Sequence, residues 1–413
     1  MPRSAPSTSS AAPAEPLLVI GNGMAAARLC EELVRRAPGR HAVTVIGAEP
    51  HLAYNRVLLS DVLAGRTGRA EITLHDADWW RAHGIGVIAG MPATAIDRVG
   101  RAVVLADGRR LPFARLVLAT GSDAIRLPLP GGDLPGVTTF RDMADVETLL
   151  SAARPGVRAV VIGGGLLGIE AASGLARAGV ETTLVHLMDR LMERQLDPRA
   201  ADLLCRAVAA QGITVVLGAA SAAIEGDGRV AALRLADGRR LPADLLVMAC
   251  GVTPKIGLAM AAGLACRRGI LVDDTLATDD PAIFAIGECA EHRGACYGLV
   301  APAYEQAEVL ARRLAGEDAA YPGSVVSTHL KVSGVFVFSA GDIAAPGEEI
   351  VLADPGLGLY RRLVLRDGRL VAAVLYGDTA DGPFYLDLIT NRTPIAAIRA
   401  DLAFGRLACA RVA

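Results

Sequence analysis

An α/β protein is what this 413-residue sequence predicts: two parallel-sheet domains of one kind, then a smaller α+β domain. Three observations predict it. Leu17–Ile20 is a short apolar run entering Gly21-Asn-Gly23-Met24-Ala25-Ala26, and Val160–Ile162 enters Gly163-Gly-Gly165-Leu166-Leu167-Gly168 in the same way. Each reads as strand, tight turn and helix. The segment Ala106-Asp-Gly-Arg-Arg-Leu-Pro112 recurs unchanged as Ala236–Pro242, once behind each glycine loop. From about residue 321 the pattern changes to alternating strands and a late helix.

The loops carry the chemistry. A Cβ at their glycines would block both the turn and the approach of a pyrophosphate to backbone N–H groups. The helix that follows offers unpaired donors and about +0.5 charge at its N-terminus, so an anion settles there. Ala26 takes the third position of G-x-G-x-x-G/A, where a small residue lets helix and strand close up. The backbones of Gly21, Gly23, Met24 and Ala25, and of Gly163, Gly165, Leu166, Leu167 and Gly168, are therefore expected to hold one dinucleotide each. Two Rossmann-like copies in one chain imply two cofactors exchanging electrons.

Around the first loop, strand Ala42–Ile46 leads to Glu49, either an acceptor for adenosine ribose hydroxyls or a solvated loop carboxylate. Arg56 follows, a phosphate clamp or a surface guanidinium. Ala102–Leu105 and Leu116–Leu118 flank Asp107-Gly108 and read as a small meander ending at Thr120-Gly121, where backbone can approach a cofactor; Gly251 ends the matching strand of the second copy. Strand Thr182–Val185 is followed by His186, Asp189, Arg190 and Arg194; His and Arg suit a 2′-phosphate, Asp189 a free 2′-hydroxyl. Strands are expected at Gly269–Asp274 and Ala282–Gly287, with Glu288 placed to bond sugar-like hydroxyls. Pro302 is expected to open a helix through Leu314 that either points its dipole at a bound ring or simply packs. Later strands are expected in Val325–Phe338, Leu359–Leu365 and Leu370–Tyr376, and a helix near Pro394–Phe404.

Composition narrows the class. A hydrophobic content of 52% excludes a largely disordered chain, and a net charge of -2 gives no general pull toward nucleic acid or anionic membrane. No apolar run approaches the roughly 18 residues that span a bilayer. Residues 1–16, rich in Ser, Ala and Pro, read as a disordered tail, and the expected address is the cytoplasm. The seven cysteines include no C-x-x-C pair and the seven histidines are scattered, so no metal site is expected.

Several segments resemble the two-dinucleotide flavoprotein reductases, the class of ferredoxin and rubredoxin reductases, and within it the FAD- and NAD(P)H-binding front portion of the assimilatory nitrite reductase large subunit. They are Glu49–Ser60, Gly163–Glu170, Val185–Asp197, Ile286–Ala290, Tyr297–Pro302 and Val332–Asp342. The resemblance implies FAD on Gly21, Gly23, Glu49, Arg56, Thr120, Gly121, Gly287 and Glu288, and NADH or NADPH on Gly163, Gly165, Gly168, Glu170 and Gly251. Glu170, near the nicotinamide end, is the expected catalytic residue. The implied division is an FAD domain of 17–123 and 250–319, an NAD(P) domain of 124–249 and an α+β interface domain of 320–413.

The implied function is electron transfer from NAD(P)H through FAD to a nitrate or nitrite reductase component or a small iron–sulfur carrier. A ferredoxin or rubredoxin reductase is the alternative, and an FAD-binding sensor or scaffold with negligible turnover a third. The likeness has limits. Asp61 stands where ferredoxin and rubredoxin reductases usually place a Lys, and the loop lacks the Cys of disulfide-reducing branches. The iron–sulfur and sirohaem segments of the nitrite reductase subunit are not in this sequence.

Overall fold

The structure is a computed structural model that describes residues 14–332 and 334–410. Of the expected tail, residues 1–13 lie outside the described residues. The first strand begins at Glu15, so Glu15 and Pro16 belong to the sheet. The chain divides into two compact units. The first holds the described residues up to Tyr54, then Leu74–Gly121 and Pro254–Pro322; the second holds Asn55–Thr73, Ser122–Thr253 and everything from Gly323 onward.

The first unit is built on a five-stranded parallel sheet in the order Ile283–Ala285, Arg115–Leu118, Glu15–Ile20, His41–Ile46, Gly86–Ile88. The second contains its counterpart: Val137–Thr139, Leu245–Met248, Arg158–Ile162, Glu181–Val185, Thr214–Val216, again all parallel. In each the strand that feeds a glycine loop is central, and the strand after the repeated heptapeptide lies beside it. Such strands are buried on both faces and so read as unbroken apolar runs. Leu17, Val19, Leu116, Val117 and Leu118 in one sheet, and Val161, Leu246 and Val247 in the other, have no exposed surface. Each such side chain contributes about 1.5–3 kcal/mol.

That burial corrects one expectation. Leu116–Leu118 does not complete a meander with Ala102–Leu105 but joins the parallel sheet. The meander is Ala93–Asp97, Ala102–Leu105 and Arg110–Pro112, and its twin in the second unit is Ser221–Glu225, Ala232–Leu235 and Arg240–Pro242. The repeat is duplicated in three dimensions as well. Val103 pairs with Leu111 as Leu233 pairs with Leu241, and the N–H of Arg109 or Arg239 donates to the Asp107 or Asp237 carboxylate at 3.0 Å. Gly108 (φ +85°) and Gly238 (φ +90°) supply the left-handed turn residue.

The α+β part is an antiparallel sheet ordered Ser327–Val332, Val335–Gly341, Arg369–Tyr376, Leu359–Arg366, Glu348–Asp354. Phe338, Leu363, Leu375 and Tyr385 form its core. The sheet is tied to the helix Pro198–Ala209 of the same unit. The Tyr360 hydroxyl donates to Asp197 at 3.1 Å and that of Tyr376 to the Leu203 carbonyl at 3.3 Å. The expected helix at Pro394–Phe404 is not there. The α-helix is Gly382–Thr390, followed by a 3-10 turn at Leu402–Phe404 and a short helix at Arg406–Cys409. Pro383 suits the first turn of the earlier helix, while Ile395 N–H is drawn to the Gly368 carbonyl of the hairpin, away from helical geometry.

Arg361, 8% exposed, holds this corner together. It donates to the Tyr385 hydroxyl and the Ala403 carbonyl at 2.8 Å each, and to Asp381 at 3.1 Å. Removing one partner of a buried charge pair costs about 3–5 kcal/mol. Arg361→Ala is thus expected to lower the unfolding free energy by that amount, measured by urea unfolding of the full chain.

Candidate functional site

The first glycine of each loop is required by the protein itself. Gly21 has φ +113° and Gly163 φ +122°. A Cβ would lie 2.0 Å from the Ala119 carbonyl oxygen in the first case and 2.2 Å from that of Ala249 in the second. The third position differs between the copies. At Gly168 a Cβ would sit 1.8 Å from the Gly163 oxygen, whereas the first loop accommodates the buried methyl of Ala26.

The second glycines are different. Gly23 (φ -110°) and Gly165 (φ -83°) have ordinary backbone, and a Cβ at either would meet no atom within 4 Å beyond its own chain neighbours. Nothing inside the molecule demands glycine there. Open space of this kind is what close approach of a pyrophosphate to the backbone requires. The helices these residues cap, Met24–Arg36 and Leu166–Arg177, have no side-chain cap and no acidic residue in the first turn. Their first N–H groups, those of Met24 and Ala25 and of Leu166 and Leu167 included, have no partner inside the helix. The residues present thus fit two dinucleotides.

In the first unit the Ile283–Ala285 strand delivers Gly287 (φ +78°) to the loop, with its Cβ position 3.2 Å from the Ala25 methyl. Its N–H donates at 2.7 Å to the buried amide oxygen of Gln306. Glu288 follows, half-buried in a single 3-10 turn, Gly287–Cys289. Glu49 lies past the end of its strand and accepts a hydrogen bond from the Tyr54 hydroxyl at 2.7 Å, which fixes its orientation. Thr120 donates to the Lys255 carbonyl at 2.7 Å, and Gly121 (φ +70°) turns the chain with open space where a Cβ would be. The helix carrying Pro302 starts at Val300, not at Pro302; the proline is its third residue, where no intrahelical N–H bond is lost. The expected strands at Gly269–Asp274 and Ala282–Gly287 are shorter, Ile270–Val272 and Ile283–Ala285. Arg56 belongs to the second unit, where it donates to the Arg141 carbonyl at 3.3 Å.

In the second unit His186 follows the Glu181–Val185 strand with both ring nitrogens engaged. Its Nδ1 accepts the Gly164 N–H at 3.0 Å, so the proton is on Nε2, which donates to Glu193 at 3.0 Å. A Cβ on Gly164 would lie 2.6 Å from the imidazole. Gly251 (φ +109°) accepts from the Ile125 N–H at 3.0 Å. Glu170, on the helix that starts at Leu166, has its carboxyl pushed up to about 8, mainly by burial and then by the Asp61 charge, with Arg66 opposing. Asp61 pairs with Arg66. The short helix Leu59–Leu63 that bears Asp61 sits close because residue 174 is glycine: a Cβ there would be 2.9 Å from the Leu63 side chain.

Tyr54, Gln306 and Glu193 were not among the expected residues. Gln306 had a readable signal, a polar residue on the buried stripe of a helix; the other two act through tertiary contacts. All seven cysteines are free thiols, and burial pushes Cys30 up to about 12 and Cys250 up to about 11. Among the described residues no group of three or more His, Cys, Asp or Glu is arranged to hold a metal, and no helix is long and apolar enough to cross a membrane.

Comparison with known proteins bears on this site directly. The family described as pyridine nucleotide-disulphide oxidoreductase matches residues 15–309, and the rubredoxin NAD+ reductase C-terminal domain matches 327–393. The chain is 46% identical over 383 residues to a nitrite reductase [NAD(P)H] of Bacillus subtilis (strain 168), covering 92% of this chain and 48% of the relative. It is 40% identical to the assimilatory nitrate reductase electron transfer subunit of the same organism, covering 92% and 50%. The chain spans about half the length of these curated relatives. Among solved structures, the covalent putidaredoxin reductase–putidaredoxin complex matches with a TM-score of 0.85 and 27% identity, covering 92% of this chain and 94% of the other.

Proposed function

We infer that this chain, which belongs to the pyridine nucleotide-disulphide oxidoreductase family and is an FAD-dependent NAD(P)H oxidoreductase, is the electron-input part of a nitrate- or nitrite-reducing system. The observation that carries the two-nucleotide part of this reading is the pair of second glycines, each required by no protein neighbour and each heading an uncapped helix. The choice of acceptor rests on the likeness to the nitrite and nitrate reductase relatives.

Bound FAD supplies the two-electron acceptor for NAD(P)H and the means of passing electrons onward. This chain's residues hold and orient. The N–H groups after Gly21 and Gly23 take the FAD pyrophosphate, and Glu49, steadied by Tyr54, takes ribose hydroxyls. Thr120, Gly121, Gly287, Glu288 and Pro302 complete the FAD set of the first unit, and Arg56, in the second unit, is assigned separately as a phosphate clamp. Gly163, Gly165, Leu166, Leu167 and Gly168 take the nicotinamide dinucleotide beside His186 and Gly251, and Glu170 holds a proton at its nicotinamide end. The functional division we assign is FAD binding by 17–123 and 250–319, NAD(P) binding by 124–249 and partner contact by 320–413. A cytoplasmic address goes with it.

A second reading, a reductase for a ferredoxin- or rubredoxin-type carrier, is favoured by the match of residues 327–393 and by the putidaredoxin reductase likeness. One experiment separates the two. The FAD-loaded chain is reduced anaerobically with NADH and NADPH in parallel, and purified acceptors are then added. Rapid reoxidation by a nitrate or nitrite reductase component is expected. Reoxidation by a ferredoxin or rubredoxin alone moves the assignment to the second reading, and a flavin that neither coenzyme reduces ends both in favour of a sensor or scaffold.

A further inference from the structure

The end of the Glu181–Val185 strand is where dinucleotide domains place the acid that reads a ribose 2′-hydroxyl. Here that place is taken by His186, and the nearest acid along the chain, Asp189, is 77% exposed and paired with Arg190 at 3.0 Å. Sequence alone therefore leaves the coenzyme open. The fold closes the gap by another route. The segment after Asp189 doubles back onto the glycine loop: the Met192 N–H donates to the Gly164 carbonyl at 2.9 Å, and Leu191 packs where a Gly164 side chain would be. Met192 itself is held at φ +50°, a left-handed conformation costing on the order of 1 kcal/mol in a residue with a side chain. A backbone strained to make this return sets the next residue, Glu193, against His186.

His186 cannot serve a 2′-phosphate as a cation while its Nδ1 accepts the Gly164 N–H, because an imidazolium has no lone pair to offer. Its Nε2–H is already given to one oxygen of Glu193, and a carboxylate has a second oxygen that can accept. A ribose 2′-hydroxyl can donate to that oxygen. A 2′-phosphate dianion in the same position meets a carboxylate that no cation neutralises through His186, and like charges at such range are strongly unfavourable.

We propose that Glu193, held in place by His186 and the Leu191–Met192 turn, is the residue that makes this oxidoreductase select NADH over NADPH. This rests on the reading of the Gly163 loop as the nicotinamide-nucleotide site, and the test separates the two ideas. NAD+ and NADP+ are titrated calorimetrically into the oxidised, FAD-loaded full chain, so that turnover plays no part. The wild-type protein is expected to bind NAD+ at least tenfold more tightly. Glu193→Gln, which keeps shape and the His186 contact but removes the charge, is expected to tighten NADP+ about tenfold while NAD+ changes less than threefold. Arg194→Ala, altering the neighbouring exposed cation, is expected to shift the ratio less than threefold.

A wild-type preference for NADP+ overturns the proposal without any variant, as does a Glu193→Gln ratio equal to the wild type. Should Glu193→Gln fail to retain FAD, the wild-type ratio and the Arg194→Ala result still decide, since an NADP+ affinity that depends on Arg194 would mean the phosphate is welcomed. Binding of neither nucleotide sinks the site assignment itself, and the proposal with it.

Discussion

Gly165→Ala is expected to leave a folded, yellow protein that NADH no longer reduces, with kcat/KM down at least about 100-fold, and Gly23→Ala a folded protein that no longer retains FAD. A methyl at either position meets no atom within 4 Å beyond its chain neighbours, and both residues have φ values that alanine adopts freely. The stability cost is therefore limited to cap preference, roughly 1 kcal/mol or less. The ligand, by contrast, loses its approach to the helix N-terminus, and a 100-fold effect corresponds to about 2.7 kcal/mol. Gly163→Ala is the control that behaves otherwise. There the methyl would be driven to 2.2 Å from the Ala249 oxygen at φ +122°, so the fold itself yields. Thermal denaturation alongside flavin absorbance and NADH-dependent bleaching reads all three. A Gly165→Ala protein reduced at the wild-type rate would remove the reason for believing that a pyrophosphate lies there.

The second large effect concerns Glu170. Its carboxyl is raised from 4.5 to about 8, so in the folded protein it keeps its proton through the neutral range. Below about pH 4.5 the folded and unfolded chains are both protonated and the site costs nothing. As pH rises from 4.5 to 8 only the unfolded chain ionises, and native stability is progressively lost; above 8 the loss is complete. Allowing for partial exposure, Glu170→Gln is expected to stabilise the second unit by roughly 2–3 kcal/mol at pH 9 and by nothing at pH 4. Kinetics should follow the same proton. Reduction by NADH in the wild type is expected to fall above about pH 8 as Glu170 acquires charge, and Glu170→Gln to flatten that limb while keeping the rate at pH 7. A wild-type profile level to pH 10, or a Gln variant with the same alkaline fall, would show that this proton is not involved.

Much of the molecule could be read in advance because its main features are local. A glycine loop announces itself by neighbours in sequence, and the parallel strands by unbroken apolar runs such as Leu17–Ile20 and Leu245–Met248. What stayed hidden depends on the chain returning to itself. Glu193 reaches His186 only through the left-handed turn at Met192, Tyr54 finds Glu49 across a loop, and the strand Arg115–Leu118 chooses its sheet by burial rather than by proximity to the hairpin. The edge strand Glu348–Asp354 was missed for a different reason. It is largely exposed and acidic, lacking the alternation that marks a half-buried strand. The late helix was misplaced because Pro394 looks like an opening residue, while Gly382-Pro383 is the real one.

The duplicated hairpins give the molecule a built-in gauge. Arg109–Arg110 and Arg239–Arg240 are exposed dipeptides with identical neighbours, in turns of the same geometry, one in each unit. A trypsin-like protease meets the same scissile bonds twice in one polypeptide, with side-chain preference and concentration cancelling between them. Any difference in the two cutting rates measures how readily each nucleotide-binding half opens, and saturating one half with its own ligand should slow only its own clock.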